Sequence, residues 1–253
     1  MASAAARLIF LDGFRVVVLE RPEPLALRRP VAFAQAVFAG ETDVDGVPAR
    51  LVDRAGLSVC LAASERFVPV CVDPEGLSLR ELRPTVLVDG RMAKRNLGTT
   101  ARAAPLVIGL GPGFRAPSEV HAVIETQRGA ELGLVRWQGE AQADTGRPAD
   151  VLGHTHARVL RAPAAGRFRG VRAIGDLVRA GETVAEVGGR PVASAIDGLL
   201  RGLVADGVSI EAGIKVGDVD PRGRAVDPYR ISEKGRAIAA GTLEAILLGL
   251  AVL

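Results

Sequence analysis

The chain has 253 residues, 48% of them apolar and 24% charged, with a formal net charge of +3 and a mean hydropathy of +0.24. That is enough apolar material for a substantial core divided between two parts, and 30 glycines beside an aromatic share of 4% call for cores of valine, leucine and alanine with many tight turns. Arginines scattered among acids, with no basic block interleaved with aromatics, speak against nucleic acid; the lack of a long uninterrupted apolar run or a leader-like start speaks against a membrane and for the cytoplasm.

In chain order, the opening stretch predicts a helix to about Leu11, a turn at Asp12-Gly13 and a buried strand from Arg15 to Leu19 ending in Glu20. This is the pattern of the first helix and second strand of a dinucleotide-type unit, in which the acidic residue closing the second strand receives a ribose hydroxyl. The preceding strand and its glycine-rich loop would lie ahead of Met1, so Glu20 is read as a structural carboxylate and NAD or FAD is expected to bind weakly or not at all. Pro22 and Pro24 then break the strand, Val31 to Phe38 predicts a short helix closed by Gly40, and Asp45-Gly46 predicts a hairpin within Glu41 to Asp53. Cys60 and Cys71 fall in strand-like apolar runs, LSVCLA and VPVCVD, and read as buried free thiols.

Phe67 to Val72 and Thr85 to Val88 predict buried strands, the second running into DGRMAKRN, Asp89 to Asn96. Strand ends are where ligands bind in open α/β sheets, and Arg91, Lys94 and Asn96 there suit an anion or phosphate; an ordinary solvated charged loop has the same composition. The strand Pro105 to Leu110 leads into GLGPGF, whose Gly111 and Gly113 let backbone amides approach a ligand or simply shape a turn. His121 to Ile124 is followed by ETQRG, which places Glu125 and Arg128 at a third strand end. His154 and His156 share one face if their segment is a strand, but no third metal ligand is evident.

From Gly166 to Pro221 the sequence repeats itself at a shift of 32 residues: Gly175 falls on Gly207, Val178 on Ile210, Gly181 on Gly213, Val184 on Val216 and Val187 on Val219. Two copies of alternating strands between glycines can close on each other as a small sandwich. The glycine and valine order resembles the barrel-sandwich fold of biotinyl and lipoyl carrier domains. The hairpin that would carry the modified lysine holds Arg190 instead, so the module reads as structural or ligand-presenting and is not expected to be acylated. Beyond Asp227-Pro228, Ser232 caps a helix from Glu233 to Leu250 whose Gly241, Ala245 and Gly249 leave one face smooth for close packing on the body or in a homo-oligomer.

Taken together, RVVVLERPEPLALRRPVAFAQAV, PTVLVDGRMAKRN, IGLGPGF, VIETQRG, DTGRPADVLG, RVLRAPAAG, IGDLVRAGETVAEVGG and KVGDVDPRG resemble, in that order, the YqeB-type family of accessory proteins for selenium-dependent molybdenum hydroxylases, more distantly similar to the maturation factors of xanthine and CO dehydrogenases. The resemblance implies an α/β fold with an incomplete Rossmann-like layer at residues 1–157, a barrel-sandwich module at 158–225 and a C-terminal helix at 226–253. It also implies a maturation role with a molybdenum hydroxylase apo-enzyme as partner and a molybdopterin-type cofactor or selenium species as ligand. On this reading Arg91, Lys94, Asn96, the amides of Gly111 and Gly113, and Arg128 hold the anion, while Asp89 and Glu125 orient them or transfer protons. A docking scaffold built on the sandwich, or a truncated dinucleotide-dependent enzyme, remains an alternative.

Overall fold

The computed structural model describes residues 1–63 and 66–252 and is a mixed α/β architecture with several parallel and antiparallel sheets and a C-terminal helix. The first four-stranded sheet runs, edge to edge, Val18–Glu20, Val68–Val72, Val47–Val52, Glu41–Val44; the first three strands are parallel and the last closes a hairpin. Asp45 (φ 52°) and Gly46 (φ 89°) form that hairpin's turn, because the left-handed backbone it needs suits Asp-Gly. The second sheet runs Val86–Asp89, Leu106–Leu110, Ala122–Ile124, Val135–Arg136, with the first three strands again parallel. Leu106–Leu110 and Ala122–Ile124 are buried throughout, as expected of strands covered on both faces. One face meets the core shared with the first sheet and both long helices, including Ile9, Phe33, Val70, Ile108, Ile124, Ile238 and Ile246. The other covers a smaller cluster around Val107, Phe114 and Val123.

The repeat occupies two facing four-stranded antiparallel sheets. One runs Val159–Arg161, Lys215–Asp220, Gly198–Leu203, Leu177–Val178; the other runs Arg190–Ala193, Thr183–Val187, Gly166–Gly170, Ser209–Ile210. Each copy lends its short strand to the other's sheet, so Leu177–Val178 pairs with Gly198–Leu203 and Ser209–Ile210 with Gly166–Gly170. Neither copy can bury its valines alone. Together they enclose Phe168, Val184, Val187, Leu200, Leu203, Val216 and Val219.

The C-terminal helix Glu233–Leu250 starts where expected, the Ser232 hydroxyl accepting from the Gly235 amide at 3.2 Å. Its smooth face is used: a side chain on Gly241 would collide with the Gly133 carbonyl, and one on Gly249 would lie 2.6 Å from Leu106. Leu247, on the same helix, is 50% exposed. Among the described residues no helix is long and apolar enough to cross a membrane.

Several local expectations are corrected. The strand placed at Arg15 to Leu19 is confined to Val18–Glu20. The helix placed at Val31 to Phe38 is two 3-10 turns, Arg29–Val31 and Phe33–Gln35, then Ala36–Ala39, interrupted by extended backbone at Ala32. Cys60 sits in a helix, Leu57–Ala63, with Leu57 buried and Val59 73% exposed; a short apolar run cannot by itself distinguish strand from helix. Cys71 is buried in a strand as expected. His154 forms an isolated antiparallel bridge with Val151 and His156 begins a 3-10 turn, so they share no strand face.

Candidate functional site

The three polar segments converge because their strands are parallel neighbours in one sheet. Val86–Asp89, Leu106–Leu110 and Ala122–Ile124 all point their carboxyl ends to the same side, so DGRMAKRN, GLGPGF and ETQRG form one rim. The first packs onto the second: a side chain on Gly113 (φ 106°) would lie 2.5 Å from the Arg95 backbone, and one on Gly111 (φ 81°) would lie 2.6 Å from the Thr126 hydroxyl. These glycines thus serve close loop packing. The Gly111 amide donates to the Ile124 carbonyl at 2.9 Å and is withdrawn from the anion-binding role expected of it.

Asp89 is 6% exposed and accepts from Arg91 Nη2 at 2.6 Å and from the Thr99 hydroxyl at 2.6 Å. Burial alone would raise its pKa, but the hydrogen bonds from Arg91 and Thr99 outweigh it and hold the carboxyl below the usual range. Asn96 closes the same loop, accepting from the Gly98 and Thr99 amides and donating to the Thr99 carbonyl. Between them Met92 (φ 56°) and Lys94 (φ 62°) adopt left-handed backbone, a sparsely populated conformation for such side chains. Arg91 keeps 46% of its side chain exposed, so Asp89 orients a guanidinium that still reaches solvent.

Lys94 and Arg128 are exposed and already engaged, Lys94 Nζ with Asp144 at 2.7 Å and Arg128 Nη1 with Glu233 at 2.7 Å. Both carboxyls are held below their ordinary values, first by these hydrogen bonds. Lys234, in the first turn of the C-terminal helix, belongs to the same group; burial first and then the Arg128 charge lower its pKa, while Glu125 and Asp144 oppose them. Sequence reasoning missed Asp144, Glu233 and Lys234 because they arrive from distant segments; the only signal was the Ser232 cap, which fixes where the helix begins.

Glu125, expected to orient donors or transfer protons, is spent on structure. It is fully buried, one carboxylate oxygen accepting from the Gln127 amide at 2.7 Å and the other from the Gln142 amide at 2.8 Å, with Arg136 at 3.7 Å. The rim therefore presents cations in exposed, exchangeable ion pairs over a floor of buried carboxylates. Such a set can hold an oxyanion by partner exchange. Among the described residues no group of three or more His, Cys, Asp or Glu could hold a metal ion.

No protein-family model matches the chain. It is 47% identical over 249 residues, 98% of its length, to "Uncharacterized protein YqeB" of Escherichia coli (strain K12), and covers 46% of that protein. The chain thus spans about half the length of the curated relative it matches. Solved structures with slight likeness include the product-bound ectoine utilization protein EutE (DoeB) from Ruegeria pomeroyi, 12% identical with a TM-score of 0.28 over 81% of this chain and 84% of that one. Another is an aspartoacylase family protein from Mesorhizobium loti, 13% identical with a TM-score of 0.25 over 86% of this chain and 66% of that one. Likenesses this slight carry no argument about fold or activity.

Proposed function

We propose, from the YqeB-type family that the 47% identity supports, that this chain is part of a maturation protein for a selenium-dependent molybdenum hydroxylase, binding an anionic molybdopterin-type cofactor or selenium species at the strand-end rim and delivering it to the apo-enzyme. The observation that carries the reading is the convergence of three parallel strand ends bearing Arg91, Lys94 and Arg128: Lys94 and Arg128 are free to exchange an exposed carboxylate for a ligand oxyanion, and Arg91, anchored on buried Asp89, keeps a solvent-facing edge. The donor set fits an anion: three flexible cations, joined by Lys234, above Asp89, which holds Arg91 in place. The molybdenum and selenium connection rests on the resemblance of the quoted motifs.

Protein purified anaerobically should release a pterin- or selenium-containing small molecule detectable by mass spectrometry. In a deletion strain, Lys94→Ala and Arg128→Ala should each weaken ligand retention about ten- to a hundredfold, as loss of a charge-assisted hydrogen bond implies, and lower hydroxylase activity while other molybdenum enzymes are unaffected. Full activity from both variants, with loss of activity in folded Gly181 or Gly213 variants of the sandwich, would replace this reading by the docking scaffold.

A second reading, the truncated dinucleotide-dependent enzyme, is favoured by one feature. The two body sheets each end in a half-buried parallel strand, Val18–Glu20 and Val86–Asp89, whose outer edge has no strand partner among the described residues, and a strand inserted between them would make one Rossmann-like sheet with Glu20 at its ligand end. Burial already raises the Glu20 pKa, opposed by the Arg21 amide. Adding a strand and a glycine-rich loop ahead of Met1 should give dinucleotide binding measurable by calorimetry; no saturable heat would reject the reading. The biotinyl/lipoyl-like barrel-sandwich reading of the repeat module rests on its pairwise strand exchange, and intact mass after co-expression with a biotin or lipoate ligase should show no addition.

A further inference from the structure

The sandwich is tied to the α/β body by the segment Leu27–Arg29. The Leu203 amide donates to the Leu27 carbonyl at 2.9 Å, Arg29 Nε donates to the Leu203 carbonyl at 2.9 Å, and a side chain on Gly202 would lie 2.9 Å from the Leu27 carbonyl. This close approach brings Arg28 to the part of the sandwich that carries Arg201, Asp218 and Asp220, whose charges act on it.

The charges there do not balance. Asp220, 2% exposed, is saturated: Arg201 Nη1 donates at 3.0 Å, and Arg222 donates through Nε at 2.9 Å and Nη2 at 2.7 Å. Among the described residues, cations approach Asp218 only at long range, Lys215 at 3.8 Å and Arg158 at 3.9 Å. Arg28 forms no ion pair among the described residues; its hydrogen bond there is a long one, 3.4 Å, from Nη2 to the Pro228 carbonyl. The Nε atoms of both Arg28 and Arg201 are buried without an acceptor among the described residues. Burial, then the Arg201 charge, push the Arg28 pKa down to about 10, and burial likewise lowers Lys215, with Arg28 adding to the effect. Asp218, Asp220 and Glu233 oppose the lowering at Arg28, but Asp220 is taken up by Arg201 and Arg222 and Glu233 by Arg128. The half-buried Arg28 guanidinium keeps its proton, so among the described residues it lacks a close negative partner as well as an acceptor for Nε.

We propose that Arg28 and Arg201, at the seam between sandwich and body, form a binding site for a phosphate-class oxyanion, distinct from the strand-end rim. A buried water would fill the acceptor deficit but not the charge deficit. A phosphate group supplies both and has enough oxygens to accept from two guanidinium edges at once.

The test is calorimetric titration of the full chain with inorganic phosphate and, as the larger probe, pyrophosphate, at an ionic strength matched with chloride, alongside thermal unfolding. The expected result is saturable binding of at least one probe and a rise in Tm that chloride does not give. Arg28→Met should weaken binding about ten- to a hundredfold and, in chloride alone, should be no less stable than the parent, since it removes a half-buried charge with no ion pair among the described residues. Arg201→Lys keeps a charge beside Asp220 but lacks the Nε edge and should weaken binding as well. Should that variant not fold, Arg28→Met decides. Lys94→Ala should leave this binding intact, which separates the site from the rim and its failure from that of the maturation reading. No saturable binding of either probe, or binding unchanged in Arg28→Met, overturns the proposal, and so does a loss that follows Lys94→Ala instead.

Discussion

The sandwich and the α/β body bury comparable cores by opposite means. In the sandwich, contact partners come from one continuous stretch of chain, and the repeat makes each copy the other's missing half, so its register is set by symmetry. In the body, two sheets depend on helices from opposite ends of the chain, and Ile238 and Ile246 complete a core begun by Ala5 and Ile9. Local repetition thus specifies a self-contained module, whereas the body remains incomplete until residues more than two hundred positions apart have met.

That contrast is most severely tested by Gly241→Ala. The new methyl would meet the Gly133 carbonyl, a backbone group that cannot turn aside, so the helix must shift bodily. Alanine gains about 1 kcal/mol of helix propensity over glycine, yet overpacking should outweigh it and leave a net loss of about 2 kcal/mol or more. Urea unfolding followed by hydrogen exchange should show the body amides losing protection while those of Thr183–Val187 and Lys215–Asp220 keep theirs. Equal loss in both regions would mean that the two cores are one cooperative unit.

The matching test of the sandwich is Asp220→Asn, which leaves Arg201 and Arg222 facing an amide in place of a charge and should cost about 2 kcal/mol or more. The Asp220 pKa is lowered because the Arg222 and Arg201 contacts outweigh the burial that would raise it. A depressed folded pKa means that this stability is present above the unfolded carboxylate value, about 4, and is lost as pH falls through the folded one. Acid titration of the parent should lose it below about pH 4, and the variant's stability should fall less over the same window; parallel curves would show that Asp220 contributes nothing through its charge.

A smaller effect is expected at Ser232→Ala, which removes the helix cap and should cost about 1 kcal/mol, read as a lowered urea midpoint with body protection lost first. The smallest belongs to Lys94→Ala and Arg128→Ala, whose ion pairs are largely exposed and should change stability by less than about 0.5 kcal/mol in either direction. A large loss of stability from either would mark the rim as structural scaffolding and count against its role in ligand exchange.

The features legible in the residues alone are those that short-range physics controls. The period of the repeat located the paired strands, Asp45-Gly46 fixed a hairpin because few other dipeptides tolerate its backbone, Ser232 marked the start of the last helix, and the strand-and-loop order of Asp89 to Arg128 placed three polar segments at strand ends. Tertiary structure decided the rest. It made Cys60 helical although its apolar run suits either state, and buried Glu125 under two backbone amides. It committed Gly111 to the sheet, paired Lys94 with Asp144 and Arg128 with Glu233, and brought Arg28 under the charge of Arg201 with no ion pair of its own among the described residues. Each of these depends on which charge or carbonyl a distant segment delivers within a few ångströms, and a side chain's protonation, availability and cost are set by those neighbours and the local dielectric rather than by its own identity.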